Sequence, residues 1–254
     1  MSDNKVFDTL TFFKDNYFDY VKFTVDSWKT WIGKTMEEIE KVGSSEIKLL
    51  TYFSIIEMLS QEYYNYPDKG NQKTFTNFVL KFQDKCDYLE LIDPITLYYH
   101  VEEYIKDKIN LDNLIDGGVY YVNSDVIRNK ATEICLELET IINTKLCDTF
   151  ERQHRYVDLL YRMRCRLSHE FSSSHTSYKQ DETEPYYVCC MRTYAKNKTI
   201  VNDNVWQLMF PIQFIKELCF NCFNNYLQYC IEEGVPAGSN NGLDRFCELS
   251  WYSY

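Results

Sequence analysis

Glycine and proline are scarce in this 254-residue chain, at eight and five. That scarcity favours long helices over a turn-rich β-sandwich. Long apolar runs are also missing. No stretch reaches the roughly 18 residues needed to cross a bilayer, and the N-terminal MSDNKVFDTLTFFKDNYFDY has no uninterrupted apolar run and no small-residue cleavage site. Ten cysteines without such a leader read as reduced thiols, so a cytoplasmic protein is expected. Positive charge is in deficit: 27 Lys and Arg against 38 Asp and Glu leave a net charge of −11. Broad coating of nucleic acid or of an anionic membrane is therefore disfavoured, and any such contact must be confined to a patch. Gly-rich phosphate loops, H-E-x-x-H and G-x-S-x-G are all absent, which leaves NTPase, zincin and hydrolase readings without support. With no internal repeat, low-complexity tract or linker, a single domain over 1–254 is expected.

What is abundant is aromatic: 22 tyrosines and 16 phenylalanines. A Phe-rich interior with a Tyr-rich boundary accommodates them, because tyrosine buries its ring while its hydroxyl stays paired or wet. The N-terminal extension, 1–43, alternates aromatic clusters with charge and is read as one or two helices ending at Gly43. Ser44 and Ser45 offer an N-cap to an apolar helix beginning at Ile47. After the breaker NYPDKGNQ, Phe75, Phe78, Val79 and Phe82 fall at i, i+3, i+4, i+7 and predict a second core helix. Asp93-Pro94 opens a third, with a capping carboxylate ahead of a proline at the first helical position. INLDNLIDGGVYYV is expected to be irregular, and Asn123-Ser124-Asp125 to start a helix reaching about Lys145. The bundle is expected to occupy 44–171.

Over 172–234 a polar loop is followed by two expected strands, YYVCCMRTY and NVWQLMF, around AKNKTIVND as the turn. Pro211 then opens a last helix, closed by Gly234 and Pro236. Residues 235–254 are a tail. The fold class is thus mainly α, with a small β-hairpin inserted before the last long helix.

The chemistry concentrates in Cys147–Phe171, CDTFERQHRYVDLLYRMRCRLSHEF. Five of the eight arginines (Arg152, Arg155, Arg162, Arg164, Arg166) lie there, ahead of His169. Against Glu151, Asp158 and Glu170 they leave residues 151–170 at +2 in an acidic protein. Phe150, Val157, Leu160, Met163 and Leu167 recur at helical intervals, giving one buried face and one cationic face. Cation gathered locally on an acidic chain marks an anion site. Arg164 and His169 form R-x4-H, and Arg162 and His169 form R-x6-H.

This segment, best over Asp158–Phe171, resembles the HEPN superfamily (higher eukaryotes and prokaryotes nucleotide-binding). Those helical domains, many of them ribonucleases, carry an arginine and a histidine four to six residues apart near a late helix. The resemblance implies an HEPN-like fold and a metal-independent endoribonuclease, commonly serving in toxin–antitoxin or anti-phage defence. It also implies a homodimer with a shared active site and an antitoxin or defence-complex partner. Arg164 and His169 are then the expected catalytic pair, with Arg162, Arg166, Arg155, Glu170 and His175 on the substrate, RNA. No metal or cofactor is expected.

The residues suit that chemistry. The RNA 2′-hydroxyl attacks its own phosphate, so the protein supplies only proton transfer and charge stabilisation. Histidine exchanges a proton near neutral pH. Arginine stays charged and forks onto phosphate oxygens. On a straight helix, however, a five-residue step separates Arg164 from His169 by about 140°, and pairing two copies of the helix would resolve that. The competing reading is a non-catalytic module that binds RNA, nucleotide or a partner protein. Cys219-x2-Cys222 lies mid-helix among Phe214, Leu218 and Phe223 and reads as buried thiols rather than a zinc site. His154 is expected on the polar face of the cationic helix, and His100 as a satisfied histidine of the bundle.

Overall fold

A computed structural model describes residues 16–64, 71–84, 86–105, 120–142, 153–171, 176–177, 182–196 and 199–238. The chain is mainly helical, with a small sheet ahead of the last long helix. The helices are α1 (Tyr17–Lys41), α2 (Ser45–Tyr63), α3 (Asn71–Phe82), α4 (Pro94–Ile105), α5 (Asp125–Ile142), α6 (Tyr156–Glu170) and α7 (Ile212–Glu232). A short 3-10 turn spans Asp87–Glu90. The strands are β1 (Tyr120–Tyr121), β2 (Thr176–Ser177), β3 (Tyr186–Lys196) and β4 (Thr199–Pro211). Described residues fall into two compact units, one drawn from Met1–Asp84 and Leu218–Tyr254, the other from Lys85–Glu217. No linker marks the division, and its second crossing lies inside α7. Nothing in the composition announces it.

In the first unit, Ser44 caps α2 by accepting from the Ile47 amide at 3.3 Å, as the Ser44-Ser45 pair predicts. Leu49, Phe53, Ile56 and Leu59 of α2 are buried, as are Phe75, Phe78, Val79 and Phe82 at the predicted positions of α3. The α2 and α3 faces meet through Phe53 and Phe75, whose ring centroids lie 6.3 Å apart. Helix α7 ends in a Schellman motif. Gly234, at φ 64°, donates to the Ile231 carbonyl (3.3 Å), and Val235 donates to that of Cys230 (2.8 Å). Cys219, Cys222 and Cys230 are buried among apolar neighbours. Burial pushes the Cys219 thiol well up and that of Cys230 to about 11. They behave as small hydrophobes, as expected from their mid-helix positions. The start of the tail is docked: Ala237 donates from its amide to the Thr24 hydroxyl at 3.0 Å. Gly238 follows at φ 72°, where a Cβ would stand 2.7 Å from Cζ2 of Trp28.

In the second unit the sheet order is β1-β3-β4-β2, antiparallel except for the two-residue parallel pairing of β2 with the end of β4. Two expectations need correction here. Tyr120–Tyr121 is a strand paired with Tyr186 and Tyr187, not irregular chain. The hairpin does not turn over 195–203. Its strands stay paired as far as Lys196 with Thr199, because the β-branched run Thr199, Ile200, Val201 continues the ladder that its polar neighbours seemed to break.

Candidate functional site

Helix α6 is positioned from its N-terminal side by a buried polar chain. Asp93, fully buried, caps α4: one carboxylate oxygen accepts from the Ile95 amide (3.1 Å) and the other from the Thr96 amide (3.0 Å). The Tyr187 hydroxyl, on β3, donates to the same Asp93 carboxylate. Tyr187 has one proton and spends it there, so the Tyr156 hydroxyl, 2.6 Å away, must be the donor between the two tyrosines. Backbone bonds reinforce the arrangement: the Asp93 amide donates to the His154 carbonyl (2.8 Å), and the Tyr156 amide to that of Leu91 (3.1 Å). Burial holds the Asp93 carboxyl above the usual range, against the opposing pull of its hydrogen bonds. The chain joins the first residue of α6 to the α4 cap and to the sheet.

The next turn explains Arg155. Its guanidinium Nε lies 2.8 Å from Oδ2 of Asp158, a carboxylate with 3% side-chain exposure. Arg155 is half-buried at the N-cap and satisfies that buried acid, so its charge is engaged within the fold. Tyr156, Val157, Leu160, Met163 and Leu167 form the buried face of α6, matching the predicted apolar positions from Val157 onward.

On the opposite side, Arg162, Arg166, His169 and Glu170 are exposed. Arg162, Arg166 and His169 stand at i, i+4 and i+7, within about 60° of one another around the axis. Successive members of such a ladder are neighbours, with Cβ atoms roughly 5–6 Å apart. Arg164 is different. It is half-buried, with its guanidinium carbon 5.9 Å from the Tyr161 ring centroid, and it is turned about 140° from His169. Within one helix, then, Arg162 and Arg166 share the face of His169, and Arg164 does not.

The helix ends on Phe171, at φ 50° and ψ 32°, a residue 58% exposed. It is the one non-glycine residue with positive φ among the described residues. A left-handed conformation costs an L-residue roughly 1–2 kcal/mol, and strain of that kind gathers at functional positions.

His154 corrects an expectation. It precedes α6, is 1% exposed, and packs its ring at 5.0 Å and 72° against His100, which is exposed on α4. Helix α6 begins two residues later, because Leu91 and Asp93 hold residues 154–156 in an extended pairing. Arg152, His175 and the loop 172–175 lie outside the described residues. The Asp93–Tyr187–Tyr156 chain escaped the sequence reading, apart from the Asp93 cap. The one signal in the sequence was an aspartate doubling as a cap in a tyrosine-rich chain.

Among the described residues no helix is long and apolar enough to cross a membrane, and no group of three or more His, Cys, Asp or Glu is placed to hold a metal ion. Comparison with protein-family models, with curated proteins and with solved structures gave no match to this chain.

Proposed function

We propose that the chain is an endoribonuclease whose site is the Arg162–Arg166–His169 ladder of α6. The observation that carries this reading is that ladder: two guanidinium groups and an imidazole on one exposed helix face, inside a segment of HEPN-like R-x4-6-H pattern. Arg166, one turn before His169, and Arg162, one turn before that, hold phosphate oxygens as charge builds on them. His169 moves the proton. The 2′-oxygen bonds to the adjacent phosphorus, the bond from phosphorus to the 5′-oxygen breaks, and a 2′,3′-cyclic phosphate and a 5′-hydroxyl result. The reaction needs no metal. Arg164 supports the helix by lying over Tyr161.

Phe171, exposed two residues after His169, supplies a surface for a flanking base to stack upon. Single-stranded RNA is therefore the substrate class. The role in toxin–antitoxin or anti-phage defence, the pairing into a homodimer and the antitoxin partner rest on the HEPN resemblance alone.

The test is cleavage of single-stranded RNA by purified protein in chelator. Wild type is expected to cut RNA and spare DNA of the same sequence, which lacks the attacking hydroxyl. His169→Ala is expected to lose about 100- to 10,000-fold in rate while remaining folded. Cutting of DNA, or a strict need for a divalent ion, would overturn the reading. RNA binding without cleavage by wild type would assign the same face to a binding module.

A further inference from the structure

Beyond the four-stranded sheet, the β3–β4 hairpin continues as a two-stranded arm. Strand β1 pairs with β3 at Tyr186 and Tyr187, and β2 pairs with β4 at Phe210 and Pro211. From Val188 with Gln207 out to Lys196 with Thr199, β3 and β4 pair only with each other among the described residues, over roughly 27 Å at about 3.4 Å per residue. Burial marks where the arm leaves the core: Tyr187 and Trp206 are buried, whereas Met191, Thr193, Ile200 and Asn204 are exposed. Its charge is unlike that of the rest of the chain. Arg192, Lys196 and Lys198 against Asp203 leave residues 188–205 at +2 in a protein at −11. Asp203 is the only acid between Glu184 and Glu217, in a chain with 38 acids. The strand period of two places positions 192, 194 and 196 on one face of β3, in the order Arg, Tyr, Lys. In register, Asp203 stands opposite Arg192, Val201 opposite Tyr194 and Thr199 opposite Lys196.

We propose that this arm is a second contact for single-stranded RNA, with Arg192, Lys196 and Lys198 on phosphates and Tyr194 on a base; it rests on the reading of α6 as an RNA-cleaving face. Cations alternating with an aromatic suit a single strand. The charges track its backbone, and the ring accepts any base because every base has a π-face. A protein at −11 repels RNA over most of its surface, so a strand is held only where positive charge is gathered. In the second unit, α6 and the arm both gather it. The hydrogen bond between Tyr156 and Tyr187, at 2.6 Å, ties the base of the arm to the first residue of α6. An acidic protein surface would match the charge alone. The interleaved tyrosine and the shared unit favour the RNA strand.

The experiment is binding of fluorescein-labelled single-stranded RNA of about 16 nucleotides to the full chain carrying His169→Ala, which leaves the RNA intact. Anisotropy is read between about 50 and 200 mM salt. Each phosphate contact adds about 0.7 to the slope of log K against log salt, so combining Arg192→Gln, Lys196→Gln and Lys198→Gln should reduce that slope by roughly 2. Tyr194→Ala should weaken binding about 5- to 150-fold and leave the slope as it was. Asp203→Asn should tighten binding. An equal charge change at exposed positions of α1, Lys22→Gln with Lys29→Gln and Lys34→Gln, should not alter the slope. Should the arm variant fail to fold by circular dichroism, Lys196→Gln with Lys198→Gln replaces it, and the slope should fall by roughly 1.4. An unchanged slope in the folded arm variant, or an equal fall in the α1 variant, would overturn the proposal. An unchanged slope with lost self-association in sedimentation would do so too, and would assign the arm to a second copy of the chain. The two readings fail separately. RNA cleavage by wild type with no slope change in the arm variant removes the arm alone, whereas the slope change without wild-type cleavage keeps the arm and removes the nuclease. No RNA binding at all overturns both.

Discussion

Tyr187→Phe tests how the candidate site is held in place. The substitution keeps the ring and removes one hydroxyl, which donates to buried Asp93 and accepts from Tyr156. A hydrogen bond to a charged group contributes about 1.5–3 kcal/mol, and a buried donor left without an acceptor costs about 1–3. The expected loss is therefore about 2.5–6 kcal/mol. Tyr156→Phe alone should cost only about 1 kcal/mol, because Tyr187 still reaches Asp93. In the Tyr187→Phe background, Tyr156→Phe removes the orphaned hydroxyl and should be neutral or stabilising, so the two effects are not additive.

The pH dependence has a definite sign. Asp93 has a raised pKa in the folded state, so its contribution is fully present below about pH 4 and is lost as pH rises through the raised value. Removing a donor that favours its charged form raises that pKa further, so the cost of Tyr187→Phe should grow as pH rises above the ordinary carboxylate range. Urea unfolding across that rise in pH measures the totals, and hydrogen exchange at the amides of Ile95, Thr96 and Tyr156 reports the local effect. A loss below about 0.5 kcal/mol, or strict additivity with Tyr156→Phe, would refute the reasoning.

Other substitutions probe the ladder and the packing. Arg162→Ala and Arg166→Ala should each slow RNA cleavage about 100- to 1000-fold, the usual cost of one charge-stabilising donor, and Arg164→Ala should cost less. Single-turnover rates on folded variants decide that order. Phe171→Gly should relieve the left-handed strain and raise thermal stability by up to about 1 kcal/mol. The same change should weaken binding of single-stranded RNA by about 5- to 150-fold through loss of a stacked base. A variant that gained stability and kept its RNA affinity would remove Phe171 from the site. Gly238→Ala should destabilise the first unit by at least about 1–2 kcal/mol, since φ 72° disfavours any Cβ and Trp28 stands in its way. Thermal unfolding with tryptophan fluorescence measures it.

Much of the helical architecture was legible because its signals are local. Ser44, Asp93-Pro94 and Gly234 act on amides and carbonyls within a few residues, and Phe75, Phe78, Val79 and Phe82 declare their face by spacing alone. What could not be read depends on distance along the chain. Tyr187 meets Asp93 across 94 positions, and no periodicity encodes that meeting. Tyr120–Tyr121 is two residues long, too short for alternation to register. The hairpin was misjudged at its turn, where polar composition argued for a loop and cross-strand pairing won. At the site, the cationic face of α6 followed from helical spacing. Motif spacing favoured Arg164, yet exposure and helix angle group Arg162 and Arg166 with His169 and leave Arg164 over Tyr161. His154 fell on the wrong side of a helix start that Leu91 and Asp93 determine.

The central claim is that His169 and its neighbouring arginines cleave RNA through the 2′-hydroxyl. The most direct measurement is the chemistry of the ends produced when wild type and His169→Ala are each incubated with single-stranded RNA in chelator. The account predicts 2′,3′-cyclic phosphate and 5′-hydroxyl ends from wild type, and almost none from His169→Ala. Products ending in a 3′-hydroxyl, or wild-type cleavage that His169→Ala leaves unchanged, would contradict it.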